Sequence, residues 1–181
     1  MKNTLFTGAG IAIITPFNKD GSINYERLGE MIDYQIENGT DAIIICGTTG
    51  EASTMSDEEH LECIRFAVKK AAKRVPVIAG TGSNDTAYAI KLSKEAEEIG
   101  ADGLLLVTPY YNKTTQRGLI AHFTAIADAV NIPIILYNIP GRTGMSIEIS
   151  TAKVLAKHKN IVAVKAVSYT HLRAHETLMN L

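Results

Sequence analysis

The sequence has little that would connect it with a membrane, a nucleic acid or the extracellular space. Its 181 residues include two cysteines and no tryptophan, and 18 basic residues nearly balance 19 acidic ones. Two cysteines do not make a disulfide framework, and a net charge near zero does not favour nucleic acid or an anionic membrane as a partner. No run of about 20 apolar residues could span a bilayer, and the N-terminus lacks the apolar stretch of a signal peptide. We therefore expect a cytoplasmic protein that binds a small polar metabolite.

What the sequence does contain is a regular alternation of short apolar runs and longer amphipathic stretches. The apolar runs predict strands, and because polar residues do not interrupt them, both faces of each strand are expected to be buried. Alternation at spacings of roughly 30 residues indicates parallel βαβ units. The predicted strands are residues 10–14, 42–46, 76–79, 103–107, 133–137 and 161–165, and the predicted helices are residues 24–38, 56–74, 85–99, 115–130 and 147–157.

This pattern leaves two α/β architectures open, a doubly wound open sheet and a (β/α)8 barrel. No GxGxxG motif follows the first strand, which weakens a dinucleotide-binding interpretation. The ends of the helices are well marked. Ser56 and Glu59 have the spacing of a capping box, and Gly39 and Gly100 stand where C-terminal caps are expected. Cys46 closes an apolar run, and Cys63 lies in a helical pattern, so both are expected to be buried thiols.

Residues capable of chemistry follow the strands at their carboxyl ends, where sites gather in parallel α/β proteins. Lys165 ends the last apolar run. Apolar surroundings lower the pKa of an amine, and a neutral lysine can attack a ketone to form an imine. The alternative is a lysine whose ammonium group simply extends into solvent.

Two loops at these ends have features of anion-binding sites. The turn at residues 47–50 offers backbone N–H groups and the hydroxyls of Thr48 and Thr49, which suit a carboxylate or phosphate, although an ordinary turn has the same composition. Arg142 lies in a glycine-flanked loop, and its guanidinium group fits a substrate carboxylate. The alternative for Arg142 is a surface ion pair.

Two tyrosines also stand at strand ends. The phenols of Tyr111 and Tyr137 can donate and accept hydrogen bonds, so together with Thr48 they could relay protons. Packing tyrosines with one satisfied hydroxyl are the alternative. His171, His175 and Glu176 have metal-like helical spacing, but no third convincing ligand accompanies them, so we predict no metal.

Together these motifs resemble the dihydrodipicolinate synthase and N-acetylneuraminate lyase superfamily. The segments GTTGE, TPYYN, YNIPGRTG and IVAVK occur in the order and spacing of that family. The resemblance covers residues 1 to about 165 and implies a (β/α)8 TIM barrel, here incomplete, with strands 1–6 and five intervening helices. After Lys165 the family usually has Glu, then Ala or Ser and Gly, whereas this chain has Ala166-Val167-Ser168. We therefore expect residues 1–165 to be a partial catalytic barrel and residues 166–181 to be a non-native tail that resembles translated vector sequence.

The resemblance implies a role for each matching position. Lys165 would form the Schiff base with pyruvate, and Tyr137 would transfer protons beside it. Thr48 and Tyr111 would complete the relay, with Tyr111 reaching into the site of a neighbouring subunit. Thr49 would help to hold the pyruvate carboxylate.

The second substrate implied by the resemblance is L-aspartate 4-semialdehyde, whose carboxylate Arg142 would bind. The implied reaction is imine formation, tautomerisation to an enamine, aldol attack, cyclisation and release of 4-hydroxytetrahydrodipicolinate, without metal or organic cofactor, in a homotetramer. GTTGE and the Arg-Thr-Gly after YNIPG favour the synthase branch over sialic-acid lyases, which more often have serine in the first loop and lack this arginine. Two alternatives to a synthase remain. The chain could be another pyruvate-dependent aldolase of the same fold, similar to N-acetylneuraminate lyase, or an inactive truncated fragment.

The resemblance also implies a regulatory pocket. Family members that are inhibited by lysine use an interface pocket with an acidic residue on the third helix. By register, the position of that acidic residue is Tyr88 in this chain. Three other pocket positions match the family, Asn84, Tyr110 and His60, whereas Asp57 stands where the family has a larger, ring-containing side chain. Because a phenol cannot neutralise the ammonium group of lysine, we expect weak or absent inhibition by lysine.

Overall fold

Six parallel strands, arranged in the order of the chain, form the frame of the molecule. The structure is a computed structural model that describes residues 4–167. A strand order that never reverses is that of a barrel wall and not that of a doubly wound sheet. The expected incomplete (β/α)8 barrel is therefore confirmed. The strands are β1 (Gly10–Ala12), β2 (Ala42–Ile45), β3 (Val77–Gly80), β4 (Gly103–Val107), β5 (Ile134–Asn138) and β6 (Ile161–Ala166).

Helices connect successive strands and pack against one another along one side of the sheet. The predicted capping box is present: Ser56 Oγ accepts a hydrogen bond from the backbone N–H of Glu59, whose carboxylate accepts one from the N–H of Ser56. Gly100, with φ 100°, caps the third helix as predicted. The helices are α1 (Tyr25–Glu37), α2 (Asp57–Ala71), α3 (Thr86–Ile99), α4 (Gln116–Asp128), α5 (Pro140–Thr143) and α6 (Ile149–Leu155).

Two apolar layers lie on opposite faces of the sheet. The larger layer lies between strands and helices and contains strand residues such as Ile43 of β2 and helix residues such as Phe123 of α4. The smaller layer consists mainly of strand side chains, among them Ile44, Ile78 and Leu105. Successive side chains of a strand point to opposite faces, so an uninterrupted apolar run supplies both layers at once. This explains the composition of β2 to β5.

The two outer strands differ from the four between them. In β6, Ile161 is buried but Val164 is 46% exposed, and β1 has no fully buried residue. Among residues 4–167, β1 pairs only with β2, and β6 pairs only with β5. The expectation that every strand is buried on both faces is therefore wrong for β1 and β6, because an apolar run is buried only where neighbours cover it.

Several predictions concern residues near or beyond the described range. Residues 166–181 overlap it only at Ala166, which extends β6, and Val167, whose N–H donates to the carbonyl of Asn138 at 2.9 Å. His171 and His175, with Glu176, lie outside the described residues. Within residues 4–167, no helix combines the length and apolarity needed to cross a membrane, and no cluster of three or more His, Cys, Asp or Glu side chains could hold a metal ion.

Candidate active site

A cavity of about 580 Å³ opens where the chain leaves β2, β3, β4 and β5. Three of the residues predicted at strand ends, Thr48, Tyr137 and Arg142, line it. The site thus lies at the carboxyl ends of the parallel strands, as expected for this architecture. Its lining combines apolar side chains with a few polar groups, as small-molecule pockets do.

The turn after β2 is a short 3₁₀ segment, Thr48–Gly50, held tightly against the first strand region. The buried hydroxyl of Thr15 donates to the carbonyl of Gly50 at 2.8 Å. A Cβ on Gly50 would lie only 3.2 Å from the carbonyl oxygen of Ile13, so a larger residue would push the turn away. Thr48 lines the cavity, whereas Thr49 is exposed and does not. Within the turn, the N–H of Gly50 donates to the carbonyl of Gly47, and the N–H of Glu51 donates to that of Thr48.

The loop after β5 is organised around the one-turn helix α5. Pro140 begins it, and Gly144, with φ 69°, ends it in the left-handed conformation. The buried Thr143 hydroxyl bonds to the carbonyls of Ile139 and Met145 at 3.2 and 3.0 Å. These bonds fix the loop that carries Arg142 on the cavity wall.

Arg142 is exposed and lines the cavity. Within the described part of the chain it makes no ion pair, since none of the seven salt bridges includes it. The alternative interpretation, a structural surface ion pair, therefore finds no support. An arginine at a pocket wall without a carboxylate partner is well suited to bind an anionic group of a ligand.

Lys165 lies beside Tyr137, its register partner on the neighbouring strand. Its Nζ is 4.7 Å from the centroid of the Tyr137 ring. Tyr137 is buried and Lys165 is half-buried, and this burial lowers the pKa of the Lys165 amine, since desolvation disfavours the ammonium form. Lys165 is next to the cavity-lining tyrosine and is not itself part of the cavity wall. The amine of Lys165 thus lies over the ring of Tyr137, next to the cavity that this tyrosine lines.

Tyr111 is not part of this group within one chain. Its side chain is 93% exposed, and it does not line the cavity that Thr48 and Tyr137 share. Its backbone is left-handed, with φ 65°, which is unusual for a bulky residue and turns the side chain out of the loop. The predicted Thr–Tyr–Tyr relay is therefore incomplete in a single chain.

The residues matched to a regulatory pocket surround one side of the same cavity. His60, Tyr88 and Tyr110 line it, whereas Asn84 lines a separate, smaller pocket and donates to the carbonyl of Tyr110 at 3.2 Å. His60 Nε2 lies 2.8 Å from the carbonyl oxygen of Gly80, and burial lowers the pKa of His60, which favours the neutral ring that donates this bond. Burial, followed by the hydrogen bond to Asp57, raises the pKa of Tyr88 to about 12.

Sequence reasoning did not single out two other residues of the cavity wall. Cys46 was expected to be a buried thiol, which is confirmed, but not to line the cavity. Thr143 stands within the YNIPGRTG motif but was not given a role. The sequence could have predicted that Cys46 lines the cavity, because Cys46 directly precedes the turn at residues 47–50. The last residue of a strand lies at the same end of the sheet as the turn that follows it.

Comparison with known proteins identifies relatives for nearly the whole chain. A model of the dihydrodipicolinate synthetase family matches residues 5–180. The 4-hydroxy-tetrahydrodipicolinate synthase of Acetivibrio thermocellus is 64% identical over 165 residues, which are 91% of this chain and 56% of that protein. The enzyme of the same name from Geobacter metallireducens is 58% identical over 174 residues, which are 96% of this chain and 60% of that protein.

Solved structures give the same answer. Dihydrodipicolinate synthase from Aquifex aeolicus superimposes with a TM-score of 0.88 at 51% identity, covering 97% of this chain and 60% of that one. The chloride-inhibited enzyme from Acinetobacter baumannii, solved in complex with pyruvate, gives 0.91 at 48% identity, covering 98% and 61%. The chain thus spans somewhat more than half the length of these relatives. On sequence and on fold, it belongs to the dihydrodipicolinate synthetase family.

Proposed function

We propose that the complete protein is a lyase that condenses pyruvate with L-aspartate 4-semialdehyde through an imine on Lys165. The product would be 4-hydroxytetrahydrodipicolinate, on the route to diaminopimelate and lysine. One observation carries this proposal: in a chain of this family, a half-buried lysine with a lowered pKa lies beside the buried phenol of Tyr137. The lowered pKa enlarges the fraction of Lys165 that is the neutral, nucleophilic amine at a given pH.

In the proposed reaction, the neutral amine of Lys165 attacks the ketone carbon of pyruvate, and water leaves to give the imine. Loss of a proton from the methyl group yields the enamine, whose carbon attacks the aldehyde. The amino group of the semialdehyde then displaces Lys165 as the ring closes, and the lysine is released. Tyr137 is the phenol closest in register to Lys165, so it is our candidate for the proton transfers at the imine.

The two substrate carboxylates would be bound at two different loops. For pyruvate, the N–H groups and hydroxyls of the turn with Thr48 and Thr49 support an anion site. For the semialdehyde, the unpaired guanidinium of Arg142 at the cavity wall supports a charge-assisted contact. This arginine also favours the synthase over an N-acetylneuraminate lyase-like aldolase, in keeping with the branch difference in the family.

We further propose that the complete protein is a homotetramer in the cytoplasm. The exposed Tyr111 is out of reach of the cavity in its own chain, so a role in proton relay requires that it enter the site of a neighbouring subunit. The two free cysteines, Cys46 and Cys63, fit a reducing compartment. Neither a metal nor an organic cofactor takes part in the proposed steps, and pyruvate and the semialdehyde are the only partners that they need.

The test uses a full-length chimera in which residues 1–165 are followed by the remaining segment of the Acetivibrio thermocellus relative. The chimera is incubated with pyruvate, reduced with borohydride, digested and analysed by mass spectrometry. We expect one N-(1-carboxyethyl) adduct on Lys165, the secondary amine left by reduction of the imine. It should disappear in Lys165→Ala and persist in Lys159→Ala, which replaces an exposed lysine close by in the chain.

An adduct on another lysine, or scattered labelling, would show that the assignment is wrong. The second substrate is tested in the same preparation. Condensation with L-aspartate 4-semialdehyde supports the synthase, whereas condensation with N-acetylmannosamine instead of the semialdehyde would support the lyase-like alternative.

A further inference from the structure

Arg142 lies in the loop that leaves the sheet after β5 and continues to the start of α6. The base of this loop is closed by Asn138, whose side-chain oxygen accepts a hydrogen bond from the backbone N–H of Ile147 at 3.0 Å. Inside the loop, the hydroxyl of Thr143 bonds to two backbone carbonyls. Both sets of contacts are internal to β5 and the loop, so they shape the loop but do not join it to a neighbouring helix.

A side chain of α4 makes that connection. Gln116, the first residue of α4, is partly buried and donates from Nε2 to the carbonyl of Ser146 at 2.8 Å. Its Oε1 accepts two hydrogen bonds at the start of α6, from the N–H of Glu148 at 3.2 Å and from the hydroxyl of the buried Thr151 at 2.7 Å. One carboxamide therefore bonds both to the end of the loop and to the helix that follows it.

The two ends of this carboxamide have different roles. Oε1 supplies an acceptor to the first turn of α6, whose N-cap residue Glu148 makes no capping bond with its own side chain within residues 4–167. Nε2 satisfies a carbonyl of the loop itself, four residues after Arg142 in the chain. Rotation of the amide by 180° would place donor against donor and acceptor against acceptor, so the contacts also fix its orientation. The first role stabilises a helix, and the second holds the loop against α4.

Any effect of Gln116 on a substrate must pass through this loop. Gln116 does not line the cavity of about 580 Å³, whereas Arg142 and Thr143 do. Arg142 is exposed, and no ion pair within residues 4–167 holds its guanidinium group in place. The backbone that carries Arg142 therefore determines where its guanidinium group can reach. A misplacement of about 1 Å caused away from the reacting atoms can cost roughly a hundredfold in rate.

We propose that Gln116 is a positioning residue, which holds the loop of Arg142 against α4 and thereby sets the affinity for the second substrate. This role rests on the proposed function, in which Arg142 binds the carboxylate of the semialdehyde. Its consequence is specific to that substrate. Loss of the contact with Ser146 should raise the KM for the semialdehyde and leave imine formation between Lys165 and pyruvate unchanged.

Two substitutions in the full-length chimera separate the two roles. Gln116→Leu removes all three hydrogen bonds at nearly constant size, whereas Gln116→Glu keeps an acceptor for α6 and loses the donor to Ser146. Each should raise the KM for the semialdehyde about tenfold, between the roughly fivefold effect of one ordinary hydrogen bond and the roughly hundredfold cost of a 1 Å misplacement. Gln116→Leu should also lower the Tm, and Gln116→Glu should not, since its carboxylate still accepts bonds from α6.

Gln35 provides the matched control, because it is a partly buried glutamine of α1 that does not line the cavity. Gln35→Leu and Gln35→Glu should leave the KM for the semialdehyde unchanged. In combination with Arg142→Ala, neither Gln116 variant should raise this KM further, because its effect passes through the arginine. Hydrogen exchange in residues 139–148 measures the loop without turnover, and it should be faster in both Gln116 variants than in the unsubstituted chimera.

A KM that Gln116→Glu leaves unchanged would overturn the proposal, because the side chain would then serve only as a cap for α6. Unchanged exchange in residues 139–148, or the same increase in KM with and without Arg142, would also overturn it. Failure of the proposed function looks different: Arg142→Ala alone would leave the KM unchanged, or the unsubstituted chimera would not condense the two substrates. Exchange then decides the positioning role, since faster exchange in both Gln116 variants would support it and unchanged exchange would refute it.

Discussion

The inner strands β2 to β5 and the outer strand β6 have the same kind of sequence but different surroundings. AIII in β2 is buried throughout, whereas the comparable IVAV of β6 is buried only at its first residue. Within residues 4–167, each inner strand has a neighbouring strand on both sides, while β6 has one, on the side of β5. An apolar composition therefore predicts that a strand is buried, but the strand is buried only where neighbouring strands and helices pack against it.

This difference matters for the candidate site, because its parts are divided between the two regions. The cavity walls, with Thr48 and Arg142, belong to turns that follow inner strands, and Lys165 belongs to the outer strand. The proposed binding groups thus follow strands that have a neighbour on both sides, while the proposed nucleophile lies on a strand that, within residues 4–167, has a neighbour on one side. Changes in the elements that pack against β6 should therefore alter the burial of Lys165 more than that of Thr48 or Arg142.

The largest expected effect is on activity. The edges of β1 and β6 that no strand of residues 4–167 covers, together with the exposed Val164, favour aggregation, and Lys165 is only half-buried. We therefore expect the 181-residue chain alone to be inactive and largely insoluble or molten, and the chimera to condense pyruvate with the semialdehyde. Consumption of the semialdehyde and near-UV circular dichroism provide the measurements. A soluble 181-residue chain with a sharp tertiary signal and turnover would contradict this expectation.

A second, smaller effect concerns a loop of the inner region. In the chimera, Arg142→Ala should raise the KM for the semialdehyde, because a charged partner is lost from a substrate carboxylate. The cost should be about 2–5 kcal/mol, which is roughly a 30- to 5,000-fold change. Imine formation with pyruvate should survive. Arg117→Ala, which removes an exposed arginine of α4 outside the cavity wall, is the matched control, and equal kinetics of the two variants would remove Arg142 from the site.

Much of the scaffold could be predicted from the sequence, because local patterns encode it. The β4 segment Gly103–Val107 has the predicted limits, and the capping box of Ser56 and Glu59 is present as expected. Thr48 and Arg142 were expected at one end of the sheet, and both line the cavity there. These features depend on periodicity, on capping chemistry and on the rule that parallel strands end at the same edge.

The remaining features depend on contacts that no local pattern reveals. The exposure of Val164 depends on which elements cover β6, and the outward position of Tyr111 depends on a left-handed backbone that tyrosine rarely adopts. The catalytic, binding and regulatory roles of all the predicted site residues, and the non-native origin of residues 166–181, stay predictions.

A third prediction asks whether the difference between the strands disappears when the barrel is completed. Val77 of β3 is 1% exposed and Val164 of β6 is 46% exposed, so the same substitution can be made in both regions. In the chimera, Val77→Ala should cost about 2–3 kcal/mol of unfolding free energy, and Val164→Ala should cost a similar amount because the added elements cover it. Denaturant titration measures both. A cost below about 1 kcal/mol for Val164→Ala would mean that β6 is still uncovered.

A fourth prediction concerns the pH dependence of imine formation. The burial of Lys165 lowers its pKa, so the neutral amine becomes abundant at a lower pH than for an ordinary lysine. The rate of borohydride-trapped imine formation in the chimera should therefore rise with pH and level off below the ordinary lysine pKa of about 10.4. A rate that is still rising at that pH would show that Lys165 is as hydrated as a surface lysine, and the site would then lack its activated nucleophile.

The smallest expected effect is that of lysine as an inhibitor, and its basis is the contact between α2 and α3 at the edge of the cavity. Tyr88 donates a hydrogen bond to Asp57 at 2.8 Å, and the ammonium group of Lys91 lies 3.1 Å from the other carboxylate oxygen. These contacts, led by the bond from Tyr88, lower the pKa of Asp57. The acidic group nearest to Tyr88 in this contact is thus already paired with an ammonium of the chain itself.

We therefore expect free lysine to inhibit the chimera weakly or not at all, since Tyr88 offers no charge and Asp57 is occupied. Initial rates at saturating pyruvate with increasing lysine provide the measurement. Tyr88→Glu supplies a carboxylate at the position where lysine-inhibited relatives carry an acid, and it should increase sensitivity to lysine, whereas Tyr88→Phe, which only breaks the bond to Asp57, should not. Inhibition of the unsubstituted chimera at micromolar lysine would contradict this expectation. It would show that lysine binds with an uncharged residue at position 88 and that its ammonium group displaces Lys91 from Asp57.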